Sequence, residues 1–246
     1  MLGSESAAIP LGLDGVISDC IKNGKRLKED AELLLELGRA PTALALAVLA
    51  QEEFAKGFLL ILVNRNVIPW TKEFRKALRN HECKHLIGVM IEWLGPPIDE
   101  VLARNKSGWE GAVIECLPAD VAVAVNILRH EKFEFFRTNS KIKYPEDSGA
   151  SRKIADGRLD RIKQGSIYVG ISINKKRAVS SLPIEYATIE MAKHQLDVAS
   201  KYGEFSSDAA SDTVLSFNEY KYFCQIVRLL FDDMDSETMP KDAASA

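Results

Sequence analysis

From Arg39 to Val63 the chain reads R-A-P-T-A-L-A-L-A-V-L-A-Q-E-E-F-A-K-G-F-L-L-I-L-V, an apolar helix interrupted at its centre by Glu52, Glu53 and Lys56. At roughly 100° per residue, Leu46, Leu49, Glu53, Lys56 and Leu60 fall in one narrow stripe. The other faces are apolar too, so the helix is expected to be buried on most sides. Carboxylates and an ammonium there must be paired, because an isolated buried charge costs several kcal/mol. Either they form a local i,i+3 or i,i+4 pair that reaches solvent, or a second segment supplies more polar groups and the cluster is a site.

Composition narrows the class. A chain of 246 residues with 46% apolar content can bury a substantial core as one or two domains. The net charge of −3 supplies no global field for nucleic acid, although a local basic cluster would suffice. Cys20, Cys83, Cys116 and Cys224 stand singly, which suggests reduced thiols rather than a disulfide framework. The N-terminus lacks the pattern of a signal peptide. No apolar run reaches the roughly 18 uncharged residues of a membrane span, because Glu52, Glu53 and Lys56 break the best candidate. The expectation is a soluble, cytoplasmic protein with no membrane partner.

Helical signals dominate the rest. Residues 13–37 carry apolar side chains at helical spacing and stop at Gly38 and Pro41. The central helix follows at about 42–64. Thr71 is a plausible N-cap for a helix over 72–94, which Gly95-Pro96-Pro97 ends. Shorter helices are expected near 97–104 and 110–116, and a longer one from Pro118-Ala119-Asp120 to about 137. Residues 139–160 read as a polar loop or insertion, at most weakly helical. Ser166–Ile173 alternates as a strand, and a partner at about 177–180 makes a small β-hairpin near 166–180. Helices at 183–202, with Pro183 at N1 and Gly203 past the end, and at 213–234 complete the chain. The fold class is mainly α: one helical domain over 11–235, with disordered tails at 1–10 and 236–246.

The segment R-K-A-L-R-N-H-E-C-K-H-L-I-G holds the second polar group. On one continuous helix, His81, His85, Gly88 and Glu92 lie within about 40° of Phe74, with Lys84 on the flank. A lone inward histidine is usually a satisfied core residue, but a pair on one stripe suggests a site. The two polar helices are therefore expected to pack directly, with Glu53 or Lys56 in reach of His81 or Lys84. Taken literally, His81-Glu82-Cys83-Lys84-His85 also matches H-E-x-x-H, in which two imidazoles bind zinc and the Glu activates a water. Lys84 beside a dication and the want of a third ligand speak against a zinc metallopeptidase, and no metal or other cofactor is expected.

Arg79-Asn80-x4-His85 fits the loose R-x4–6-H pattern of the HEPN (higher eukaryote and prokaryote nucleotide-binding) ribonucleases, as does the spacing of Arg75 and His81. A wider resemblance covers about residues 20–202. The run D-A-E-L-L-L-E-L-G-R-A-P-T-A-L-A-L-A-V-L-A-Q-E-E-F-A-K-G resembles the start of the AbiV family of phage abortive-infection proteins, where a helix ending in Gly-Arg precedes an Ala/Leu helix with Glu-Glu-x-x-Lys. The family's H-x-x-K helix is matched by His81 and Lys84. Its later Tyr-Val-Asp, polar hairpin and Pro-opened helix resemble Tyr168-Val169-Gly170 and Pro183-Ile184-Glu185-Tyr186-Ala187. Gly170 in place of the Asp, Phe54 in place of a Leu and the extra residues at 139–160 depart from the pattern.

The resemblance implies a HEPN-like helical bundle and a bacterial anti-phage role in which the infected cell is arrested. If the ribonuclease chemistry of the wider superfamily applies, His81 is the base or acid, Lys84 and Lys56 face the phosphate, and Glu53 orients Lys56 or His81. Arg79, His85 and Glu52 are secondary candidates. The partners implied are RNA or the translation machinery, a phage-encoded activator and a second copy of the chain in a homodimer. The alternative is a non-catalytic helical module that senses a phage protein or blocks translation by binding, its polar cluster a structural network.

Overall fold

The computed structural model describes residues 9–92, 119–132, 149–173, 178–183 and 187–211. Expected features at 1–8, 93–118, 133–148 and 212–246 lie outside them. Two long antiparallel helices form the base of the fold, α1 (Leu13–Glu36) and α2 (Ala40–Asn64). The turn between them needs Gly38, whose φ of 72° lets Arg39 N–H reach the Leu34 carbonyl at 2.8 Å. Most of α2 is buried, as its largely apolar composition requires.

The helix expected at 72–94 is two helices, α3 (Lys72–Arg79) and α4 (His81–Glu92). Thr71 caps α3 as expected, its Oγ1 accepting from Phe74 N–H at 3.1 Å. Asn80 then takes an extended conformation (φ −92°, ψ 124°), and its Oδ1 accepts from Cys83 N–H at 2.8 Å. A side chain that caps a new helix competes with continuing the old one, and here the cap wins. The stripe that joined Phe74 to the histidines is thus broken, while His81, His85 and Glu92 still share α4.

Helix α5 (Ala119–Ile127) runs into a π-helical turn at Leu128–Lys132. The segment read as a polar loop is helical in its described part: α6 (Gly149–Ala155) and α7 (Arg158–Gly165), joined at Gly157 with φ 77°. The hairpin is shorter than expected. β1 (Gly170–Ile173) pairs antiparallel with β2 (Ala178–Ser181), Gly170 opposite Ser181 and Ile173 opposite Ala178. Residues 166–168 instead continue the turn of α7, with Tyr168 N–H on the Gln164 carbonyl at 2.9 Å.

Helix α8 (Ile189–Ala210) begins six residues after Pro183, where Thr188 Oγ1 accepts from Met191 N–H at 3.2 Å. It passes through Gly203 rather than ending there, for a packing reason. The Phe54 ring fills the crossing of α1, α2 and α8, and a Cβ on Gly24 or Gly203 would fall 2.6 or 2.8 Å from it. Both glycines are absent side chains that let helices close on an aromatic ring. Hydrogen bonds also tie α8 to α2: Gln51 Nε2 to the Gln195 carbonyl and to Gln195 Oε1 (2.9 Å each), and Ser206 Oγ to the Phe54 carbonyl (3.2 Å).

Candidate functional site

The carboxylate of Glu52 is the centre of the polar cluster. It is 2% exposed, on α2, and receives groups from two other helices. From α4, His81 Nδ1 lies 2.5 Å from Oε2, Lys84 Nζ 3.0 Å from Oε2 and His85 Nε2 3.3 Å from Oε1. From α7, Lys163 Nζ donates to Oε1 at 2.8 Å, sits 2.8 Å from Asp160 Oδ1, and is 3.3 Å from His81 Nδ1. Lys84 and Lys163 are both 7% exposed. Two carboxylates, Glu52 and Asp160, face two ammonium groups, Lys84 and Lys163, so these four charges balance.

Burial alone would push the Glu52 carboxyl pKa up. The contacts from His85 and Lys163 and the charge of Lys84 overcome it and hold the group well below the ordinary carboxylate range. Burial likewise opposes the charge on Lys163, yet Asp160 and Glu52 raise its pKa above the usual lysine value. Both groups are therefore charged at neutral pH. A 2.5 Å contact between a carboxylate oxygen and an imidazole nitrogen needs a proton between them, so Nδ1 of His81 carries it and donates to Glu52. The lone pair of the neutral ring is then on Nε2. The His81 side chain is 49% exposed, whereas Glu52 beneath it is closed off. This is a buried carboxylate fixing the tautomer of a solvent-facing histidine.

The sequence stripe pointed to Glu53, but the neighbouring carboxylate fills that place. Glu53 and Lys56 form their own i,i+3 pair at 2.7 Å, with 20% and 29% side-chain exposure, and both act electrostatically on Cys20 of α1. Among the described residues neither bonds to His81 or Lys84. Glu52 and Glu53 differ by about 100° around the helix, and a helix apolar on all faces gives no phase by which to choose between them. Lys84 and His85 turn inward to Glu52 rather than toward an open phosphate site. Arg79 is exposed at the end of α3, two residues before His81.

Sequence reasoning missed Asp160, the last residue of the stretch read as a loop, and Lys163, between that stretch and the expected strand. The available signal was short: Leu159 and Ile162 between Gly157 and Gly165, with an i,i+3 Asp–Lys pair.

The H-E-x-x-H reading does not assemble. His81 and His85 both reach toward Glu52, while Glu82 is ion-paired with Lys132, which also donates to the Ala155 carbonyl at 3.2 Å. Glu82 thus ties α4 to the π turn and to α6, away from the imidazoles. A different trio has the spacing of metal ligands: one atom each from Glu52, His81 and Asp160 lie within 4.8 Å of one another. The Lys163 ammonium stands among them. Cys83, next to Lys84, is no nucleophile, since burial pushes its thiol pKa up to about 12.

Among the described residues the fold is an α-helical bundle with one small hairpin, and a polar cluster with two histidines lies between packed helices. The sequence model HEPN_AbiV, described as AbiV, matches residues 13–204. The chain belongs to this AbiV family. No curated protein and no solved structure matches it. No helix among the described residues is long and apolar enough to cross a membrane.

Proposed function

We propose that the protein is an abortive-infection effector that arrests the infected cell as a metal-independent endoribonuclease, with His81 as its general base. The observation that carries this reading is the Glu52–His81 pair, a buried carboxylate behind an imidazole whose other edge faces solvent. His81 Nε2 takes the proton of a ribose 2′-OH, and the 2′-oxygen attacks the adjacent phosphorus. The 5′-oxygen leaves with a proton returned from the imidazolium, giving a 2′,3′-cyclic phosphate and a 5′-OH. Glu52 stabilises the imidazolium as it forms. Lys84 and Lys163 keep Glu52 ionised rather than touching phosphate. That contact falls to exposed cations near His81, Arg79 first, with Lys76 on the same last turn of α3. Two copies related by a two-fold axis would double this positive charge and help an acidic chain hold RNA.

A second reading has its own observation. Tyr168 is 65% exposed, Ile171 72% and Leu182 54%, an apolar surface on and beside the hairpin. Such a surface suits a protein partner, such as a phage-encoded activator or the translation machinery. The two readings separate in cells. Under the nuclease reading, expression alone or with a phage trigger arrests growth, and His81→Ala abolishes the arrest while thermal melts show a folded chain. Full arrest by a folded His81→Ala variant leaves only the binding module.

A further inference from the structure

We infer that Glu52, His81 and Asp160 form a built-in cation seat whose resident cation is the ammonium of Lys163, and that the seat takes a divalent transition metal once this ammonium is removed. The site is the one proposed above for catalysis, but the inference rests on its geometry alone and holds whether or not RNA is cut.

Three observations carry it. The donor atoms come from three helices, α2, α4 and α7, and converge within 4.8 Å of one another, with an oxygen–nitrogen–oxygen set that suits zinc or manganese. Lys163 Nζ occupies the middle, 2.8 Å from Glu52 Oε1, 2.8 Å from Asp160 Oδ1 and 3.3 Å from His81 Nδ1. Asp160 Oδ1 is buried and is held by the 2.8 Å ion pair with Lys163, so removing the ammonium leaves a buried carboxylate oxygen without its cation. The ammonium has three N–H bonds for three neighbours, and with it gone the same three atoms face one another around a vacated cation position.

The consequence for His81 is specific. A metal bound at Nδ1 displaces the proton there and leaves the ring's proton on Nε2, the wrong tautomer for a base. An ammonium in the same place supplies the positive charge, keeps Glu52 and Asp160 ionised, and leaves Nδ1–H pointing at Glu52. Lys163 is thus a positioning residue that makes the charge of the site permanent and keeps metal off its histidine.

The test is a calorimetric titration of the purified full chain with Zn²⁺ at neutral pH. Wild type and Lys163→Arg should show no binding that depends on His81. Lys163→Ala should bind one zinc per chain, lost in the Lys163→Ala/His81→Ala double variant and weakened about ten-fold or more when Asp160→Asn is added. Lys163→Met, which retains the packing of the stem, gives the same measurement should the alanine variant not fold. The inference is overturned if folded Lys163→Met and Lys163→Ala take up no zinc, or if wild type binds zinc through His81 as tightly as they do.

Discussion

The carboxylate of Glu52 and the imidazole of His81 meet at 2.5 Å, Oε2 to Nδ1, though the residues are 29 positions apart and sit on different helices. The contact exists because the face of α2 that carries Glu52 is buried and α4 starts where Asn80 makes it start. It joins the most enclosed acid among the described residues to a half-exposed base.

Glu52 should be the most costly charge to remove. In Glu52→Gln, Lys84 and Lys163 remain buried with no full counter-charge beside Lys84, and the loss should be about 3–5 kcal/mol. Glu53→Gln breaks only a partly exposed pair and should cost less than about 1 kcal/mol. Urea unfolding of both variants checks this, and equal losses would contradict the assignment of Glu52 as the centre. Lys56→Ala should likewise leave growth arrest intact.

Acid should erase that difference. The folded pKa of Glu52 lies below its ordinary value of 4.5, so its stabilisation is fully present above about pH 4.5 and is lost as the pH falls below it toward the folded value. The stability gap between wild type and Glu52→Gln should be constant from pH 7 to 5 and narrow steadily below 4.5. A gap that widened in acid would reverse the sign of the argument. On the alkaline side the raised pKa of Lys163 means its contribution persists through pH 10.5 and fades only above that.

The glycines around α2 should behave differently from one another. Gly24→Ala places a methyl 2.6 Å from the Phe54 ring, which must move, at a cost of about 1–3 kcal/mol. At Gly57 the new methyl meets Cys20 Cβ at 3.4 Å, an ordinary contact, and the gain in helix propensity should make Gly57→Ala neutral or stabilising by up to about 1 kcal/mol. Thermal melts distinguish the two, and a stabilised Gly24→Ala would mean the ring does not fill that crossing.

Asn80→Ala removes the cap of α4 and should cost about 0.5–2 kcal/mol. Since His81 is the first residue of that helix, the variant should also weaken growth arrest more than its stability loss explains. Asn80→Asp, which keeps the capping oxygen, should restore both.

The bundle was legible because its signals are local and repeated: the apolar run of α2, the Gly38 turn and the Thr71 cap each act within a few residues. The pairing of α2 with α4 was also legible, from two sets of buried charges that each needed partners. What was not legible is phase and distance. Periodicity cannot tell Glu52 from Glu53 on a helix with no polar face. The Asn80 break is invisible to a period count because an asparagine fits either a helix or a cap. Lys163 reaches Glu52 across 111 residues from an eight-residue helix too short to show a pattern. Gly203 read as a helix stop because the ring that requires it, Phe54, is remote in sequence.

The central claim is that His81 cuts RNA, and the most direct measurement is to sequence RNA ends from arrested cells expressing the wild-type chain or His81→Ala at equal level. New internal ends carrying 2′,3′-cyclic phosphate are expected with wild type and none with the folded variant. The same ends in both samples, or arrest by wild type without any new ends, would contradict the claim.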